Sequence, residues 1–131
     1  SVLEGVPKSL PAMVKATRIQ DKARGVGFDW ENVNQVFEKV KEEFTELHDE
    51  VIIKNNKTKV EKEFGDVLFS LINYARFIGV DPELALERTN KKFISRFSFL
   101  EKEVNRKGLN LDSMSLEEMD DIWDESKKKH P

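Results

Sequence analysis

The sequence predicts an all-α fold, an antiparallel bundle of about five helices. Three observations carry that prediction. Apolar residues recur at three- and four-residue spacing over long stretches, the mark of helices with one buried stripe. The chain has only four prolines and six glycines, and they fall where helices should start or stop. No stretch alternates apolar and polar residues as a half-buried strand would.

The first helix is read from "SLPAMVKATRIQDKARG", with Ser9 near its start, Pro11 in its first turn and Gly25 after its end. "GVGFDWEN" is a loop, after which Asp29 or Asn32 caps a second helix running to about Ile53. Its apolar seam is Val33, Val36, Phe37, Val40, Phe44, Leu47 and Val51. "KNNKT" is a tight connection to a third helix, Lys57 to Ile78, with a seam of Val60, Phe64, Val67, Leu71 and Ile78. Asp81 and Pro82 make a strong start for a fourth helix, which Gly108 ends. Its seam is Leu86, Phe93, Phe97, Leu100 and Val104. "SLEE" is a capping-box pattern that opens a short fifth helix through Trp123, and "KKKHP" reads as a frayed basic tail. Short connections imply antiparallel neighbours. The whole, residues 1–131, reads as one domain, and Ser1 in place of a methionine suggests a processed chain or a piece of a longer two-domain one.

Composition excludes several function classes. With 22 Lys+Arg against 25 Asp+Glu, a formal net charge of −3, the chain has no basic signature of a nucleic-acid binder. It has no cysteine, hence no disulfide and no thiolate zinc site. No apolar run is long enough to span a membrane, and a cytoplasmic location is the default expectation. No glycine-rich phosphate loop of the Walker type is present. His48 reads as a surface residue, because Glu46 is only two positions before it and cannot form the Glu-x-x-His pair of a di-iron bundle.

The informative feature is a density of carboxylates. Glu42, Glu43 and Glu46 lie on the second helix, Glu63 and Asp66 on the third. At about 100° per residue, Glu43 with Glu46 and Glu63 with Asp66 each project to one side of their seams. Two such pairs on adjacent helices make a cage of oxygen donors, the chemistry that Mg²⁺ prefers. Acidic helix pairs are usually a solvated face. The third helix argues otherwise, since Glu63 and Asp66 sit beside "FGDVLFSLINYA" and unpaired carboxylates on a buried helix are costly. Ser70 and Asn73 continue their stripe, and Lys92 and Arg96 on the fourth helix suit an anionic substrate. Phe69 and Ile72 lie off the seam of the third helix, which predicts burial on a second side and hence a homo-oligomer, at least a dimer, with that helix in the interface, the alternative being that the first or fifth helix covers this face.

These residues resemble the MazG family of all-α nucleoside triphosphate pyrophosphohydrolases. The pattern E-E-x-x-E followed by E-x-x-D is filled by Glu42, Glu43, Glu46, Glu63 and Asp66. "GVGFDW", "ALERTNKKF" and "MDDIWDESK" also look like MazG sequence, most like the C-terminal half of two-domain members. The resemblance implies hydrolysis of a nucleoside triphosphate to the monophosphate and pyrophosphate with Mg²⁺, Mn²⁺ being able to substitute. It implies Glu43, Glu46, Glu63 and Asp66 as metal ligands. Glu42 would orient or deprotonate the attacking water or bind a further metal. Lys92 and Arg96 would hold the triphosphate, joined by Lys59, and Trp123 would lie near the base. Asn73 and Asn90 are candidates for polar contacts, and Trp30 for packing at the start of the second helix. The flanks favour a broad, house-cleaning specificity over a narrower dUTP, dCTP or phosphoribosyl-ATP pyrophosphohydrolase. A catalytically idle regulatory or dimerisation module is the alternative from another class, and the filled acidic pattern argues against it.

Overall fold

The computed structural model describes all residues, Ser1–Pro131, and is helical throughout with no strand. Helix α1 is Ala12–Gly25, α2 Val33–Asp49, α3 Lys57–Phe77, α4 Pro82–Arg106 and α5 Leu116–Lys129. The chain divides into two compact units, Ser1–Glu83 and Leu84–Pro131.

In the first unit, α2 and α3 pack on each other and α1 packs on α3. Asn32, not Asp29, caps α2: its side chain accepts from the Gln35 N–H, and the Gln35 side chain accepts in return from the Asn32 N–H. The capping box thus satisfies two backbone donors that α2 leaves without helical partners. The end of α2 differs from the uninterrupted helix expected to Ile53. A single π-helical turn, Glu50–Lys54, follows Asp49, closed by a bond from the Asn55 N–H to the Glu50 carbonyl at 2.7 Å. Asn55 adopts a left-handed conformation, φ 51°, a backbone that asparagine tolerates and that stops the helix. Asn56 then caps α3 by accepting from the Lys59 N–H.

The expected seams are rotated. The buried face of α2, continued into the π-helical turn, is Val36, Val40, Glu43 and Glu50, and that of α3 is Val67, Ser70 and Ile72. Phe37 and Phe44 on α2, Val51 in the π-helical turn, Phe64 and Leu71 on α3, and Ile78 just after it, are exposed instead. Each of these six follows an inward position by one residue or lies close to that register, so a turn of about 100° moves the stripe out of the contact. In antiparallel helices the same rotation sends both stripes to one side of the hairpin. The aromatic residues drew the sequence-based seam toward themselves, but smaller Val36, Val40 and Val67 make the close contact.

Ile72 is 3% exposed within the single chain, which removes it from the predicted subunit interface. Here α1 packs on α3, and the Gln20 amide donates to the Phe69 carbonyl at 3.0 Å. Phe69 itself remains half exposed.

The loop before α2 is pinned to α3 by Asp29. Its carboxylate accepts from both terminal nitrogens of Arg76, at 2.8 and 3.3 Å. Those Arg76 hydrogen bonds hold the Asp29 carboxyl below its usual range. Arg76 has only 10% of its side chain exposed, so removing the carboxylate leaves a largely buried cation without its partner. Asp29→Asn should therefore destabilise the protein by about 2–3 kcal/mol at neutral pH, measured by urea unfolding. Because the folded carboxyl is the stronger acid, its contribution is complete above the ordinary aspartate range and fades as pH falls through the lower folded value. Stability curves of the parent and Asp29→Asn should converge in strong acid. Parallel curves from pH 7 to pH 2 would contradict this assignment.

The second unit is built from α4 and α5, with a core of Leu100, Val104 and Ile122 backed by Phe99, Leu111, Met114 and Trp123. The Ser115 capping box with Glu118 forms as the sequence predicted. However, α5 runs on to Lys129, so the three lysines of the tail expected to fray are helical, and only His130 and Pro131 lie beyond the helix. Ser126 is fully buried and its hydroxyl donates to the Trp123 carbonyl. The carbonyls of His130 and Pro131 accept from Arg96, at 2.8 and 3.3 Å.

Candidate metal centre

Glu43 on α2 and Glu63 and Asp66 on α3 converge: one carboxylate oxygen from each lies within 4.8 Å of the others. Glu43 is 7% exposed, although nothing about a helical glutamate favours burial. It is drawn in because it continues the Val36 and Val40 face at the next turn. Oxygen atoms of Glu43 and Glu63 are buried with no hydrogen-bond partner. Such oxygens are expensive to leave unpaired. An oxygen-rich triad with orphaned, buried acceptors fits a hard divalent cation such as Mg²⁺ or Mn²⁺.

Glu46, the fourth expected ligand, is exposed and stands outside the triad. It is near enough that the charge of Glu43 above all, with that of Glu63 adding, pushes its carboxyl above the usual glutamate range. Glu42 is also exposed and lies 3.5 Å from the Lys39 ammonium. That ammonium sits 3.1 Å from Glu43. The hydrogen bond to Glu43 holds the Lys39 proton more tightly than usual. Lys39 was missed in the sequence, where its signal was present: four residues before Glu43 places it on the same helical stripe.

Beside the triad lies a hollow of about 290 Å³, bordered by Lys39, Glu43, Asp66, Ser70, Asn73 and Trp30. Trp30, expected to pack, is substantially exposed and forms a wall here. Asn73 is held by the Arg76 guanidinium, which donates to its side-chain carbonyl at 2.7 Å. Lys59 is exposed in the first turn of α3.

The remaining candidates belong to the second unit. Lys92 borders an open basic hollow with Arg88, Lys91, Lys129 and His130. Arg96 is partly buried and spends its guanidinium on the two terminal carbonyls. Asn90 is exposed on α4. The Trp123 ring packs on Phe93 at 5.2 Å between centroids.

The MazG nucleotide pyrophosphohydrolase domain matches residues 31–98, the segment that holds the acidic triad. The nucleoside triphosphate pyrophosphohydrolase/pyrophosphatase MazG of Thermotoga maritima is 41% identical over 118 residues, 90% of this chain and 45% of that protein. The nucleoside triphosphate pyrophosphohydrolase of Escherichia coli K12 is 38% identical over 130 residues, 98% of this chain and 49% of that protein. The Bacillus subtilis protein YabN, described as uncharacterized, is 48% identical over 128 residues, 98% of this chain and 26% of that protein. The chain thus spans about half the length of the first two relatives, or less. With more than half of its residues matched and its acidic triad inside the matched segment, the chain belongs to the MazG nucleotide pyrophosphohydrolase family.

Proposed function

We propose that this chain hydrolyses nucleoside triphosphates at the α-phosphorus, giving the nucleoside monophosphate and pyrophosphate, with Mg²⁺ held at Glu43, Glu63 and Asp66. The observation that carries the reading is the acidic triad, in which buried Glu43 and half-buried Glu63 each hold an orphaned oxygen. The names of two relatives support the reaction class. Glu46 completes the ligand set from the rim, where neutralisation by a cation relieves the charge of Glu43 and Glu63.

A divalent ion bound there supplies Lewis acidity, making water a competent nucleophile near neutral pH and shielding phosphate charge. The chain's own residues position and neutralise. Glu42 is exposed beside the cluster, where it orients the attacking water and accepts its proton. Lys39 bridges Glu42 and Glu43 and is the cation best placed to pass from the carboxylates to a phosphate oxygen. Lys59 contributes a cation from α3, and the expectation from the resemblance that Lys92 and Arg96 hold the triphosphate is carried forward as a prediction for mutagenesis. A broad specificity and a cytoplasmic role in clearing surplus or damaged nucleotides complete the reading. Pyrophosphate release should require Mg²⁺ and extend across several bases. A chain that binds Mg²⁺ but hydrolyses no triphosphate in a panel of common and damaged nucleotides would contradict the reading.

The oligomer belongs to this proposal as well, on a different surface from the one first expected. Phe37, Phe44, Phe64 and Leu71 lie exposed along the side of the α2–α3 hairpin turned away from the acidic stripe, with Phe64 at 53%. A contiguous apolar face of that kind marks an interaction site, and a second copy offers the same face in return. Phe44→Glu combined with Phe64→Glu should convert a dimer or larger assembly to monomer in light scattering. A parent chain that is already monomeric at micromolar concentration would contradict the assignment.

A further inference from the structure

Asn73 borders the acidic hollow with Asp66 and Trp30, two turns after Asp66 on the same face of α3. Its side-chain oxygen accepts from the Arg76 guanidinium at 2.7 Å. Arginine carries only donors, so the end of the amide that it holds must be the oxygen. The amide is planar. Fixing its oxygen on Arg76, one turn further along the helix, turns the NH₂ group the other way, back toward the hollow. That nitrogen has no acceptor within the protein, and Asn73 is half-buried rather than sealed, so the donor stays open to a ligand.

Arg76 is held in turn. Asp29 accepts from both of its terminal nitrogens, at 2.8 and 3.3 Å. The same carboxylate accepts from the Trp30 N–H at 2.9 Å, which fixes the backbone of the opposite wall of the hollow. The guanidinium lies over the Phe77 ring, 5.0 Å from its centroid. A planar fork of donors bridges two acceptors in this way, whereas a lysine ammonium is a point charge on a flexible stem. For the fold alone, the Asp29–Arg76 pair suffices to tie the loop to α3. The bond from Arg76 to Asn73 joins two residues of one helix and adds little to its stability. What it does fix is the direction of the Asn73 amide.

We propose that Asp29 and Arg76 are positioning residues for the reaction: they lock the Asn73 amide so that it presents a hydrogen-bond donor, and never an acceptor, to an oxygen of the bound nucleotide. The proposal rests on the nucleotide reading above. An unrestrained asparagine exchanges its oxygen and nitrogen by a half turn about its last bond. In the wrong orientation its oxygen would face an oxygen of the substrate. The choice matters in this hollow, because Glu43 and Asp66 already line it with acceptors. Sugar hydroxyls and α-phosphate oxygens share the chemistry that the donor needs, an accepting lone pair on oxygen.

The test combines binding and turnover in the full chain with Mg²⁺. In nuclear magnetic resonance, the side-chain NH₂ signals of Asn73 should shift on titration with adenosine monophosphate. Asn73→Ala should lower kcat/KM for adenosine triphosphate about tenfold, the scale of one hydrogen bond. Asn73→Asp keeps an acceptor for Arg76 but turns an oxygen to the hollow, so it should keep the parental Tm and lose at least as much turnover. Arg76→Lys should approach Asn73→Ala, and combining the two should cost nothing more, because Arg76 acts through Asn73. The 2′,3′-dideoxy triphosphate tells the two acceptors apart: the cost of Asn73→Ala vanishes for a sugar hydroxyl and persists for a phosphate oxygen. Parental kcat/KM in Asn73→Ala, additive losses in the double variant, or unmoved Asn73 NH₂ signals would overturn the proposal. Should Arg76→Lys fail to fold, the Asn73 variants and the resonance shift decide. That shift is read without turnover, so it judges the amide alone, whereas pyrophosphate release by the parent judges the reaction.

Discussion

Glu43→Gln, Glu63→Gln and Asp66→Asn should each lower Mg²⁺-dependent pyrophosphate release by more than about a hundredfold, because loss of a mere outer-shell partner already costs about 10–100-fold in metal affinity or activity. The three side chains present their oxygens within 4.8 Å of one another, so losing any one opens the cluster. The metal-free variants should stay folded. Three carboxylates this close repel, and replacing one by an amide removes a charge while keeping its shape. Glu63→Gln without metal should unfold at the same temperature as the parent or higher, by a gain on the order of 1 kcal/mol. Calorimetry with and without Mg²⁺ separates the effects: the ion should raise Tm of the parent and leave Glu63→Gln nearly unmoved. Full Mg²⁺-dependent turnover in any of the three variants would show that α2 and α3 do not build the metal site.

The second large effect is expected on the fourth helix. Lys92→Ala and Arg96→Ala should each slow turnover by roughly tenfold to thousandfold, the range seen when one electrostatic stabiliser of a transition state is removed. The two cations are one helical turn apart, about 6 Å along the axis, a spacing that suits adjacent phosphates. Arg96 carries a further expectation. Its guanidinium is engaged by the carbonyls of His130 and Pro131. Removing those last two residues should free it, leaving turnover intact or faster, whereas Arg96→Ala slows it. Unchanged kcat/KM in both alanine variants would place the phosphates elsewhere.

The helices were legible because their boundaries rest on local chemistry. Asn32 with Gln35, Ser115 with Glu118, and the Asp81–Pro82 start are each decided within a few residues. The carboxylates were legible for a related reason: spacing of three within a helix fixes relative direction whatever the helix packs on. Which face packs is a tertiary question. Phe37, Phe44 and Phe64 looked like seam residues by size and hydrophobicity, yet they are exposed, and Glu43 lies inside. A hydrophobic scale places a glutamate outside, so a face that buries one is misread until its partners are seen. The same limit hid the Asp29–Arg76 pair and the Gln20–Phe69 contact, which join residues 47 and 49 positions apart. Trp30 was read as packing at the start of the second helix, and only the fold shows it forming a wall beside the acidic hollow. The π-helical turn had a partial signal in Asn55, although nothing in "EVIIK" sets it apart from an ordinary last turn.

The most direct measurement is hydrolysis of a nucleoside triphosphate in H₂¹⁸O with Mg²⁺, with the products separated and weighed by mass spectrometry. Attack by water at the α-phosphorus puts the new oxygen on the nucleoside side and expels the distal phosphates intact. The account predicts one ¹⁸O atom in the monophosphate and none in pyrophosphate, with the yield lost in Glu63→Gln. Nucleoside diphosphate with orthophosphate, or label in the pyrophosphate, would contradict it.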